Sequence, residues 1–203
     1  MPARFTKIDD LTRAAHYHLT PDDDCYYLRE YTSHKGSGAS DTNNLILNFK
    51  KEPDRVGRPE WRYKEEAVRQ LAAEFKAANA ISGGWTWVPI PPSRTKSDPL
   101  YDDRLLWMLR VMGRGETLDV RELISQTGNI RAAHSAATRL RPEEIAAHYA
   151  VDESVADPFP KGIILFDDVL TTGAHFKAAK RILEERFPGI RIIGVFIARR
   201  TFG

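Results

Sequence analysis

Ile163-Ile164-Leu165-Phe166-Asp167-Asp168-Val169-Leu170-Thr171-Thr172-Gly173-Ala174-His175 is the stretch on which the reading of this chain turns. Four consecutive apolar residues make a strand too uniform to have a wet face, which is the pattern of a strand covered on both sides. Two adjacent carboxylates follow, then two hydroxyls, a glycine and an alanine opening a helix over 176–187. In open α/β sheets ligands bind beyond the C-terminal ends of the strands. A helix N-terminus offers unpaired N–H groups and a partial positive charge, which suits a phosphate. Thr171, Thr172, Gly173, Ala174 and His175 are the phosphate-binding candidates, and Gly173 lets the backbone approach closely. Asp167 and Asp168 would be repelled by a phosphate but can accept hydrogen bonds from the hydroxyls of a sugar beside it. An acidic pair alone, or a Thr-Thr-Gly cap alone, is ordinary surface chemistry; the whole run in this order describes a phosphorylated sugar with a vicinal diol. The chain contains neither GxxxxGK[ST] nor GxGxxG.

Outward from this segment, Pro188-Gly189 breaks the chain and residues 192–198 (IIGVFIA) read as a last buried strand. Upstream, residues 85–90 (WTWVPI) read as a strand, 102–111 as a helix with an acidic start, and 118–124 as a short strand. Residues 142–149 read as a helix with Pro142 in its first turn. Between 63 and 79 the apolar residues Ala67, Val68, Leu71, Ala72 and Phe75 recur at helical spacing. Helices thus alternate with continuous apolar strands through residues 61–203, which predicts an α/β core with an open, largely parallel twisted sheet flanked by helices. Residues 1–60 are polar and mixed. There 26–31 (YYLREY) and 45–49 (LILNF) look like two strands joined by a turn-rich stretch, which predicts a small N-terminal hood or hairpin.

Composition sets limits. The 203 residues are 42% hydrophobic and 29% charged, ordinary for a globular chain with a real core. A net charge of +2 gives little support to nucleic-acid binding. The single cysteine, Cys25, excludes an internal disulfide and suits a reducing, cytoplasmic setting. No apolar run approaches the roughly 18 residues that span a bilayer, and residues 1–24 lack the apolar centre of a secretory signal. No metal-ligand set stands out; His16 and His18 have no partner at metal spacing.

The run ILFDDVLTTGAH resembles the phosphoribosyl pyrophosphate (PRPP) motif of type I phosphoribosyltransferases. The stretch Trp87-Val88-Pro89-Ile90-Pro91-Pro92-Ser93-Arg94 is similar to the strand and loop that meet pyrophosphate in that family. Over residues 80–200 the chain is most similar to the ComF-type branch, although the cysteine-rich N-terminal finger of that branch is missing. The resemblance implies that Asp167 and Asp168 hold the ribose hydroxyls and serve as the catalytic acids of the motif. It implies that residues 171–175 wrap the 5-phosphate, and that Ser93, Arg94, Thr95 and Lys96 receive the pyrophosphate. His175 stands where the family tends to carry Thr or Ser. Thr171 stands where hypoxanthine–guanine enzymes carry an Asp, which argues against that activity.

The family often has a mobile loop in the region of 125–141 (SQTGNIRAAHSAATRLR). Arg131, His134, Ser135 and Arg139 are candidates to reach pyrophosphate from it, the alternative being a solvated surface helix. Asp102, Asp103 and Arg104 read as a helix cap. The implied function is a phosphoribosyltransferase that binds PRPP with substrate-borne Mg²⁺ and transfers phosphoribosyl to a nitrogenous acceptor. The alternative is a PRPP- or nucleotide-binding accessory module; ComF-type relatives are linked to DNA uptake. Dimers are common in the family, so a homodimer is an expectation.

Overall fold

A computed structural model describes residues 4–78, 83–115, 117–128 and 140–202. Its elements are β1 (Thr6–Lys7), α1 (Asp10–Arg13), β2 (Cys25–Thr32), α2 (Asp41–Phe49), α3 (Trp61–Ala77), β3 (Thr86–Pro89), α4 (Arg104–Met112), β4 (Asp119–Val120), β5 (Ile124–Gln126), α5 (Pro142–Ala146), β6 (Tyr149–Val151), β7 (Ile163–Leu170), α6 (Ala174–Arg186) and β8 (Ile192–Thr201). Six strands form one sheet in the order β1-β2-β8-β7-β3-β4, and β5 with β6 makes a separate antiparallel pair. Every pairing in the large sheet is parallel except β1 with β2. The expected α/β class and largely parallel sheet are therefore present.

Both faces of the sheet are covered, which is why its strands are continuously apolar. On one face Leu165, Ile163 and Phe196 join Phe176, Ala179 and Leu183 of α6 in a single buried cluster. On the other, Ile164, Phe166 and Ile197 meet Phe49, Leu71, Phe75 and Met108 from α2, α3 and α4. The helix-period stripe of α3 is the buried one: Ala67, Val68, Leu71, Ala72 and Phe75 are all buried. Among the described residues no helix is long and apolar enough to cross a membrane.

Four expectations are corrected. Residues 45–49 are not a strand but the end of α2. Ser40 caps this helix by accepting the Asn43 N–H, and Leu45, Ile46 and Phe49 bury at helical spacing against α3. The N-terminal hairpin is therefore absent; β2 runs parallel to β8, from Cys25 opposite Gly194 to Thr32 opposite Thr201. The first sixty residues thus supply two strands of the main sheet. Residues 118–124 are not one strand either. After two residues of β4 the chain turns away to pair as β5 with β6, and the helix begun at Pro142 stops at Ala146 because Tyr149 enters that pair.

The strand β7 is also longer than its apolar run. Its ladder with β8 continues through Leu170 opposite Arg199, so Asp167 and Asp168 lie within the strand. On the other side β3 ends at Pro89, opposite Phe166. From β7 the chain crosses by α6 to β8, whereas from β3 it crosses by α4 to β4, in the opposite direction and on the opposite face. The two C-terminal ends consequently diverge, leaving the crevice of a topological switch point between β3 and β7.

Candidate functional site

A cavity of about 370 Å³ fills that crevice. Its walls are the end of β3 with Ser93, the β7 end from Asp167 to Thr171, the start of α6, the start of α4, and Lys50 just beyond α2.

The turn between β7 and α6 is built as the sequence requires. Gly173 sits at φ 87°, in the left-handed region, as the N-cap of α6. A Cβ there would come within 2.9 Å of Leu19 Cδ2 and 3.0 Å of Leu19 Cγ. Only glycine satisfies both the dihedral and the space. Thr171 is exposed and lines the cavity together with Gly173, Ala174 and His175. Thr172 is turned inward and buried, with its Oγ1 accepting the Ala174 N–H at 3.4 Å. Its hydroxyl is engaged at the start of the helix, which leaves side-chain contact with a phosphate to its neighbours.

The two carboxylates have opposite environments because successive residues of a strand face opposite ways. Asp168, 4% exposed, turns to the face carrying α2 and α4. Its Oδ1 meets Lys50 Nζ at 2.8 Å, and its Oδ2 accepts from Arg104 Nε at 2.9 Å and Nη2 at 2.6 Å. Burial would push its pKa up, but the two cations overcome that and hold it well below the usual carboxylate range. Asp167 makes no ion pair among the described residues; its Oδ1 accepts the Asp168 backbone N–H at 2.7 Å. Burial first, and the charge of Asp168 second, push its pKa up to about 7. Two neighbouring acids driven apart in this way can hold different protonation states at neutral pH.

His175 pairs through Nδ1 with the Tyr149 hydroxyl at 2.9 Å. Burial lowers the pKa of His175 and raises that of Tyr149, so both are neutral. A tyrosine hydroxyl donating to Nδ1 leaves the ring proton on Nε2, where it can donate to an anion.

Of the expected pyrophosphate loop, only Ser93 lines the cavity. Arg94 is drawn to Asp98 at 3.2 Å and Glu52 at 3.6 Å, Lys96 to Glu122 at 3.0 Å, and Thr95 to Ser97 at 3.0 Å. The cations in the cavity are instead Lys50 and Arg104. They belong to a chain of alternating charge: Lys64 pairs with Asp102 at 2.7 Å, Asp102 with Arg104 at 2.9 Å, Arg104 with Asp168, and Asp168 with Lys50. Arg104 is thus more than part of a cap.

Two of these residues carried a readable signal. A cation in the first turn of a helix opposes the macrodipole, so Arg104 at the start of α4 demands an acid. Lys64 falls on the apolar stripe of α3, three and four residues before Ala67 and Val68, and is 1% exposed. A lysine on a buried stripe demands a carboxylate. Lys50 follows α2 with no such anomaly. The candidates Arg131, His134, Ser135 and Arg139 lie outside the described residues.

Among the described residues no group of three His, Cys, Asp or Glu side chains is arranged to hold a metal. No family model matches the chain, and no curated protein matches its sequence.

Proposed function

We propose that this cavity binds a ribose 5-phosphate group, in PRPP accompanied by its Mg²⁺, and that the protein transfers phosphoribosyl to a nitrogenous acceptor with release of pyrophosphate. The observation that carries the reading is the meeting, at one switch-point crevice, of the Gly173 turn at the N-terminus of α6 with the unpaired carboxyl of Asp167. The turn offers N–H donors and a dipole to the 5-phosphate. Asp167 offers acceptors to a ribose hydroxyl, while His175 adds a neutral N–H donor. Asp168 is assigned to holding Lys50 and Arg104, so the ribose contact falls mainly on Asp167. Those two cations, with Ser93, would face the pyrophosphate. Mg²⁺ arrives with the substrate. Catalysis would come from positioning and from stabilising the charge on the leaving diphosphate.

The accessory reading, PRPP or nucleotide binding without turnover, draws support from one observation. Arg94 and Lys96, expected at the leaving group, do not line the cavity and are engaged by Asp98, Glu52 and Glu122.

Calorimetric titration with PRPP and Mg²⁺ tests both. Binding is expected, with Asp167→Asn weakening it about tenfold. No heat at millimolar ligand overturns the reading. Pyrophosphate release across a panel of nitrogenous bases favours the transferase, and binding without release favours the accessory module.

A further inference from the structure

The Thr171–Gly173 turn is gripped from its outer side by the segment that follows α1. His16 is wholly buried, and its Nδ1 meets the Thr171 carbonyl oxygen. The His18 N–H donates to the Thr172 carbonyl at 3.0 Å, and Leu19 lies against Gly173. Asp157–Pro158 is the one cis peptide among the described residues. The peptides joining Thr171 to Thr172 and Thr172 to Gly173 are therefore trans, and in a trans peptide the N–H points opposite to the carbonyl. With both carbonyls turned towards the His16–His18 segment, the N–H groups of Thr172 and Gly173 turn the other way. Neither donates to any atom among the described residues. Successive free N–H groups of this kind form an anion-binding concavity.

His16 itself is placed at a cost. Its Nε2 is buried without a hydrogen-bond partner. A carbonyl can only accept, so Nδ1 must carry the proton of a neutral ring, leaving Nε2 bare. Burial lowers the pKa of this histidine, and Arg199 and Arg200 act in the same direction, which keeps the ring neutral. A leucine or phenylalanine would fill the same space with no orphaned nitrogen, so packing alone does not account for an imidazole here.

We propose that His16 is a positioning residue for the phosphate site: by fixing the Thr171 carbonyl, it turns the Thr172 and Gly173 N–H groups towards a phosphate monoester. This rests on the ribose-phosphate reading of the cavity.

The test uses the full chain, ¹⁵N-labelled, titrated with inorganic phosphate and with ribose 5-phosphate while the Thr172 and Gly173 amide resonances are followed. If neither probe moves those resonances in the wild type, the reading of the cavity fails. Given a wild-type response, His16→Asn, whose side-chain N–H falls near the place of Nδ1, should keep the affinity within about threefold. His16→Gln, whose N–H reaches the place of Nε2, and His16→Phe, which has no donor, should each lose roughly tenfold. Equal affinity in the Asn and Gln variants, or wild-type affinity in the Phe variant, overturns the proposal. The wild type supplies a second arm that needs no variant. Its His16 ring ¹⁵N shifts should report a proton on Nδ1 and none on Nε2; the opposite tautomer overturns the proposal.

Discussion

Asp167→Asn is expected to stabilise the protein while impairing its site. In the folded state burial, followed by the charge of Asp168, pushes the Asp167 pKa from 3.8 up to about 7; in the unfolded chain it returns to roughly 3.9. Below about pH 4 both states hold the proton, and the substitution changes little. As the pH rises from there to about 7, the unfolded chain ionises first, and the wild type loses stability. Above about pH 7 the loss is complete and constant. A shift of about three units at about 1.36 kcal/mol per unit sets an upper bound of about 4 kcal/mol. Water in the open crevice screens part of this, and about 2 kcal/mol is the expected difference. Asparagine keeps an oxygen for the 2.7 Å bond from the Asp168 N–H, so no hydrogen bond is lost. Urea unfolding at about pH 4, 6 and 8 should show the two proteins equal at the acid end and the variant ahead by about 2 kcal/mol at the alkaline end. A wild type as stable as the variant at about pH 8 would refute the buried, unpaired carboxyl.

The opposite sign applies to Asp168, whose folded pKa is depressed: its contribution is present above about pH 4 and is lost as the pH falls further, so Asp168→Asn should remove part of the wild-type acid unfolding transition followed by circular dichroism. Gly173→Ala should cost about 2 kcal/mol in urea unfolding, from the left-handed dihedral and the Leu19 contact together, and should abolish the phosphate response of the loop. Lys64→Ala leaves Asp102 partly buried with one cation fewer and should cost about 3 kcal/mol, read as a lower urea midpoint. Tyr149→Phe removes the partner of His175 Nδ1 and should cost about 1 kcal/mol, visible in the same assay.

Much of the fold could be read from residue patterns because burial on both sides leaves a strong signature. Ile163–Phe166 and Ile192–Ala198 are apolar throughout since each is flanked by strands and covered by helices. The failure at Leu45–Phe49 has an equally physical origin. Five residues rich in Leu and Ile fit a short strand as well as one turn and a half of helix, and the cap at Ser40 that decides the matter lies outside the apolar run. The site divides in the same way. Gly173 and Asp167 are local features of one strand and one turn, so sequence order exposes them. Lys50, Arg104 and His16 reach the site from elements distant in the chain, and their roles depend on which acids or carbonyls the sheet order sets opposite them. The cations of loop 93–96 show the same limit: besides Asp98 close by in the chain, they pair with Glu52 and Glu122, which the local sequence does not reveal as partners.

The parallel pairing of β2 with β8 also bears on how the chain acquires its structure. Cys25 and Gly194 are partners across most of the sequence, so this ladder closes a very long loop before it returns any contact. Such non-local pairing slows folding. During synthesis β2 emerges early and waits, with one edge unpaired, until the last strand is made. The segment bearing His16 joins β1 to β2, and the carbonyl that it grips stands one residue beyond β7. The phosphate turn therefore gains its outer support only late, after nearly the whole polypeptide exists. A nascent chain halted after α6 would carry every residue of the Asp167–His175 run and still lack β8, the strand that lies between β2 and β7 and joins them.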